Sequence, residues 1–537
     1  MGAHYRIRIA AVFAFAALVV FGCGGEKQEQ HANAPAGPSR LVRRLESDIN
    51  TLNYVLHTTD YEHYVLQYLY DPLIDLDADL RPIPGLATKW EIGDGGRSYT
   101  LHLEPRATFD DGTPLRASDV VFTINRILSA NSPQFSSWFE GLDTAATKAL
   151  DDHTVRVVFK EPLVSRLDSF NIGVLPEHVY AKGNFATDFN ERAVGCGPYR
   201  LARRESGREV TLARRDDYWR AKPPIAEVIF RVIADDQVAW KAMQRGDIDE
   251  TRIASDLWLH EKDRPELRGR IAFYSIYQAN YNCFPWNEHN PLFADARVRR
   301  AMAMAFDRDG IIARIYHGQA RPMSGPFTPD LWANDPSVRP TPFDLAAASK
   351  LLAEAGWRDT NGDGLLDRGG KKFEFDISYP AGNKACSEQT QILQQSLHGI
   401  GVTANVVPAD PATFFDRVMK GEFQSACMAW TIDPDPDPYP LFHSSQAPPK
   451  GLNVIGYSNP VVDQLLVEGR TDFDPARRTA IYHRLNQVLA SDQPYLWTVQ
   501  PSMKWAVSTR VHGVRVARGF GLFSWWPGAM GWRVEAK

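Results

Sequence analysis

Apolar residues along this chain switch period repeatedly, and that switching restricts the fold more than any other feature. "SYTLHL" (98–103) alternates Tyr99, Leu101 and Leu103 with polar residues, the two-residue period of a half-buried strand. "FDDGTPLRASDVVFTINRIL" (109–128) follows, with a turn at Asp111-Gly112 and Ser118 placed to cap a helix whose apolar face is Val120, Ile124, Ile127 and Leu128. Strand patterns return at "TVRVVF" (154–159) and "VIFRVI" (228–233). The second half holds helices after a capping Asp295, from Asp344 to a stop at Gly356, and from Asp474 with Pro475 at the first helical position. Strands and helices interleave without strict alternation, which predicts α/β lobes rather than a TIM barrel. At 537 residues the chain exceeds one ordinary core and suffices for two or three domains.

The N-terminus has another design. "HYRIRIAAVFAFAALVVFGCGG" (4–25) starts basic and runs through thirteen apolar residues from Ile9 to Phe21. That run is too short to span a bilayer and fits a secretory signal over residues 1–22. Gly22-Cys23 then resembles a bacterial lipobox, which makes Cys23 the expected lipid attachment site. Residues 23–40 are polar and rich in Gly, Pro and Ala, the composition of a flexible tether. The reading is an exported body held to a membrane, in the periplasm or on the cell-envelope surface.

Chemistry with a local signature is missing. No P-loop, HExxH, GxSxG or GxGxxG pattern occurs. The formal net charge is −5, and the acidic balance argues against nucleic acid, whose binding rests on Lys and Arg neutralising phosphates. In "DTNGDGLLDRGGKK" (359–372), Asp359, Asn361, Asp363, Gly364 and Asp367 fall at EF-hand positions, but Gly370 stands where a bidentate Glu should close the calcium shell. An Asx/Gly turn explains the same residues, so no metal and no cofactor is expected. His57 and His63, six apart, are expected at surface or satisfied positions. Cys196, Cys283, Cys386 and Cys427 allow three full disulfide pairings, and buried free thiols are equally open.

Several dispersed segments carry a resemblance. They are "YLYDPLIDLDADLRPIPGLATKWEIGDGGRSYTLHL" (68–103), "FDDGTPLRASDVVFTINRI" (109–127), "GCGPYRL" (195–201), "RDDYWRAKPPI" (215–225), "FADARVRRAMAMAFDR" (293–308), "ASKLLAEAGW" (348–357) and "YSNPVVDQLL" (457–466). Together they resemble the family 5 bacterial extracellular solute-binding proteins, the dipeptide- and oligopeptide-binding lipoproteins of ABC importers. The resemblance implies a two-lobed, hinged periplasmic-binding-protein-like fold of type II with an extra subdomain. Lobe I would comprise 41–83, 194–280 and 501–537, the extra subdomain 84–193, and lobe II 281–500. The implied partners are a peptide or other small solute and an ABC permease with its ATPase, the binding protein itself being a monomer.

"WTIDPDPDPYPLF" (430–442) sets carboxylates on a backbone that proline keeps extended. Asp435 and Asp437 read as a stiff solvated connector. Asp433 stands in Trp-x-x-Asp register, where the resemblance implies a carboxylate receiving a ligand's α-ammonium. Trp430 would wall that pocket and Cys427, in the same "CMAW" run, would line it. Dipeptide-selective members carry an arginine for the ligand carboxylate on the helix that corresponds to 381–397. Here that stretch has only Lys384, which leaves longer peptides, or a sugar stacked on aromatics such as Trp286, as alternatives. A nickel complex or haem on the same fold, and a secreted carboxylate-pair hydrolase, are the remaining readings.

Overall fold

The computed structural model describes residues 39–433, 435–520, 523–525 and 528–535. The signal segment 1–22, Cys23 and the tether up to residue 38 lie outside the described residues. Residues Pro38–Lys537 form one compact unit. No helix among the described residues is long and apolar enough to cross a membrane.

An eight-stranded mixed sheet organises the first lobe. Its order is Ile271–Tyr277, Val499–Ser508, Glu250–Arg252, Arg40–Leu45, Glu227–Val232, Glu209–Arg214 and Tyr199–Glu205, with Ala320–Pro322 added against Val499–Ser508. Strands far apart in sequence therefore meet side by side, as Arg40–Leu45 does in parallel with Glu227–Val232. A separate four-stranded sheet, Ala87–Gly93, Ser98–Leu103, Thr154–Val158 and Lys148–Asp151, builds the extra subdomain. The helix packed on it spans Ala117–Ser129. Its cap is Arg116, two residues ahead of the expected Ser118, because Asp119 reaches back to accept from the Arg116 N–H at 2.8 Å. That places Val120, Ile124 and Ile127 in the core.

The second lobe contains two three-stranded sheets. One sets Thr403–Ala409, Glu374–Pro380 and Ser425–Ala426 in parallel, and the other orders Met428–Thr431, Asn280–Pro285 and Tyr495–Trp497. The three second-half helices form where their caps direct. Asp295 accepts from Arg297 N, Asp344 from Ala347 N, and Asp474 from both Ala476 N and Arg477 N. Two strand connections, Ile271–Tyr277 into Asn280–Pro285 and Tyr495–Trp497 into Val499–Ser508, carry the chain between lobes. They are tied where they cross, since the Gln500 amide donates to Gln278 O at 2.6 Å and Thr498 N–H to Asn282 O at 3.0 Å.

Of the four cysteines after Cys23, Cys386 and Cys427 are disulfide-bonded, whereas Cys196 and Cys283 are free thiols in the core.

Candidate functional site

Strand Met428–Thr431 delivers the Asp-Pro ribbon. Its edge pairs with Asn280–Pro285, setting Trp430 opposite Tyr281, and the pairing ends as Ile432 N–H donates to Ala279 O at 2.7 Å. Beyond that point prolines deny the ribbon ladder bonds of its own. Two antiparallel helices, Pro460–Thr471 and Pro475–Asp492, hold it instead. Asp435 meets the Arg478 guanidinium at two contacts of 2.7 Å, and Asp437 meets Arg470 at 2.8 Å. The Tyr482 hydroxyl donates to Pro436 O at 2.8 Å. Aromatic faces back both cations: Arg470 lies 4.0 Å from the Tyr439 ring centre and Arg478 lies 4.9 Å from that of Trp332.

The expectation of a solvated connector at Asp435 and Asp437 is therefore corrected. Their side chains are only 18% and 13% accessible, and each has its own guanidinium. A carboxylate that far out of water needs such a partner, and helices distant in sequence supply it.

Asp433 differs from both. It is exposed, and no ion pair or hydrogen bond engages it among the described residues. Surrounding protein nevertheless pushes its carboxyl up to about 6, through burial first and then repulsion from Asp437 and Asp435. Across from the ribbon stands Asp168, in the short 3-10 segment Val164–Phe170 of the extra subdomain. Its Oδ2 accepts the Asp435 N–H at 2.7 Å. Burial, then the charge of Asp435, raises that carboxyl to about 8, with Asp433 adding to the rise and Arg478 opposing it.

The other expected site residues fall elsewhere. Trp430 is half-buried at the margin of the second lobe's core. The Cys427 sulfur is buried and taken up by the bond to Cys386, so it is not free to line a pocket. Trp286 is wholly buried, stacked on Phe293 at 5.0 Å and edge-on to Phe375, which makes it packing. Lys384 opens the helix Lys384–His398, is 79% accessible and lies 3.8 Å from Glu388. In the EF-hand-like loop Asp363 pairs with Lys372 at 2.8 Å, and Asp359 accepts from Gly362 and Gly364 N–H, the turn chemistry of the alternative reading. His57 and His63 form a contact of 3.2 Å in an aromatic nest with Tyr54 and Phe135, and His57 Nδ1 meets Tyr54 O at 2.7 Å. Sequence reading missed Asp168, Arg470 and Arg478. No local pattern marks any of them, because their partners on the ribbon stand 267, 33 and 43 positions away.

Comparison with known proteins adds the following. Residues 81–451 match the family described as bacterial extracellular solute-binding proteins, family 5 middle. The oligopeptide-binding protein AppA of Bacillus subtilis (strain 168) is 28% identical over 539 residues, covering 97% of this chain and 98% of that protein. Protein XP55 of Streptomyces lividans is 30% identical over 451 residues, 83% of this chain and 81% of its own. The solved structure of B. subtilis AppA in complex with a nonapeptide superposes with a TM-score of 0.76 at 27% identity, covering 93% of this chain and all (100%) of that one.

Proposed function

The chain belongs to the bacterial extracellular solute-binding proteins of family 5, and on that premise we propose that it captures a peptide-like solute with a free amino terminus between its two lobes. One observation carries the reading. Of the three aspartates on the ribbon, two are matched by arginines and Asp433 alone is left for a cation from outside. A charge-assisted hydrogen bond from an α-ammonium would relieve that carboxylate, with Trp430, three positions earlier along the chain, as the proposed apolar wall. At the other end no arginine clamp stands on helix Lys384–His398, whose one cation points into solvent beside Glu388. That favours a peptide longer than two residues, held along its main chain. The nonapeptide complex of the AppA relative supports the same choice. The loaded protein would deliver its solute to an ABC permease and ATPase complex while tethered as a monomer through lipid on Cys23.

Thermal unfolding of the purified body with Ala-Ala-Ala and with its N-acetyl form tests the reading. Saturation at one hundred times the dissociation constant adds about 2.7 kcal/mol of stability. Asp433→Asn should weaken the free-amine peptide by about 2–5 kcal/mol, the usual loss when a desolvated charge pair is broken, and leave the acetylated one nearly unchanged. Equal losses for both peptides would remove the ammonium role.

A further inference from the structure

The extra subdomain meets the second lobe around the Asp168 segment, which also packs on helix Pro460–Thr471, and at the turn holding Gly96. One contact is polar: among the described residues, the bond from Asp435 N–H to Asp168 Oδ2 is the one hydrogen bond joining these bodies. The other is apolar. Gly96, at φ +92° in the turn between strands Ala87–Gly93 and Ser98–Leu103, lies under the ring of Phe473 from the loop between the two ribbon-holding helices. A Cβ on Gly96 would come within 2.3 Å of that ring and 3.2 Å of Pro162.

The polar contact is unusual in its charge. Asp435 already has Arg478, so Asp168 receives only a backbone N–H there, and it reaches it by moving its carboxylate beside two others. We propose that Asp168 is a latch residue that makes lobe closure conditional on a positive charge at Asp433. With the cleft empty, closing strips water from Asp168 and brings it towards Asp433 and Asp435, with one guanidinium, Arg478, to offset three carboxylates. With an ammonium at Asp433 two cations face the three carboxylates instead of one, and the latch bond forms at lower cost. Asp168 thereby acts on specificity without holding the ligand itself, because a neutral leading end leaves the repulsion in place. The inference rests on the ammonium reading of Asp433.

The charged groups around Asp168 are Asp433 and Asp435 on the ribbon, Arg478 on helix Pro475–Asp492, and Arg166 on its own segment. The Arg166 amino groups are spent on Trp138 O and Glu140 O at 3.0 and 2.7 Å. Arg470 and Asp437 stand one step behind, paired with each other. Separating Asp168 from the ribbon returns it to water and to an ordinary carboxylate range, whereas with the Asp435 bond made, as in this structure, it sits near 8. Closing the empty protein therefore takes up a proton, and alkaline conditions oppose it.

The test uses donor and acceptor dyes on Lys89→Cys and Lys350→Cys, exposed positions on the subdomain and the second lobe. Readings at about pH 6.5 and 8 bracket a range in which Asp433 is mostly ionised and Asp168 changes. The empty parent protein should lose closed population as pH rises, and Asp168→Asn should stay closed at both values. Asp168→Ser, which also lacks the charge, must behave like Asp168→Asn. The preference for Ala-Ala-Ala over its acetylated form should narrow by about tenfold in either variant, through tighter binding of the acetylated peptide. An unchanged pH response together with unchanged discrimination overturns the latch. Should the parent protein fail to distinguish the two peptides, the ammonium reading falls, and the pH response of the empty protein still decides the latch by itself.

Discussion

Replacing Arg478 by Met tests whether the ribbon is held by charge or merely packed. The guanidinium meets both oxygens of Asp435 at 2.7 Å, donates from Nε to Gly469 O at 2.7 Å, and lies against Trp332 and Tyr482. Methionine preserves most of the packing and deletes the charge. Breaking a buried pair costs about 3–5 kcal/mol, and the low end applies because Asp435 retains 18% accessibility. The lost bond to the Gly469 carbonyl adds about 1 kcal/mol, so the variant should lose about 4 kcal/mol in all. Urea unfolding followed by near-ultraviolet circular dichroism measures this. The companion variant Asp435→Asn and the double variant complete a cycle in which the two changes should be coupled by about 2–3 kcal/mol, because the double leaves no orphan charge. A loss below about 1 kcal/mol, or strict additivity, would refute electrostatic anchoring and leave Asp433 without a fixed platform.

Three further outcomes follow from the same structure. An ammonium needs the ionised form of Asp433, whose carboxyl sits near 6 when empty, so calorimetric affinity for a free-amine peptide should peak near pH 7, fall about tenfold per unit below 6 and decline above about 8 as the peptide's own amine loses its proton, with the acetylated peptide flat. Reducing the Cys386–Cys427 bond, which closes a separation of 41 residues, should cost up to about 4 kcal/mol by loop-closure entropy, read as a lowered midpoint for Cys386→Ser/Cys427→Ser in denaturant. Burial lowers His63 to about 3, below its unfolded value, so the unfolded chain takes up its proton first and stability declines as pH drops through 6.5. Between pH 7 and 5 that amounts to about 2 kcal/mol, and His63→Phe should flatten the slope.

What could be read in advance was whatever the chain decides locally. Caps at Asp295, Asp344 and Asp474 are a matter of one side chain and the next turn, and each formed as written. Strand Ser98–Leu103 follows from its own alternation. Ser118 misled because Asp119 competed for the same helix start. Asp435 and Asp437 misled for a larger reason: proline sets the shape of a segment but says nothing about which surface it will meet. Their arginines come from a helix pair that the ribbon itself does not specify. Asp168 was invisible on the same ground, as part of "SRLDSF" in another body. The cysteine pairing needed three-dimensional proximity, since composition left three pairings open.

The cross-link between Cys386 and Cys427 has a bearing on where this protein becomes competent. It staples the first turn of a helix to the strand that leads, six residues on, to Asp433. Glutathione and thioredoxin keep such sulfur pairs apart inside a bacterium, whereas the envelope oxidises them. A copy kept under reducing conditions would thus carry the Asp-Pro ribbon without this brace, whereas an oxidising surrounding supplies it.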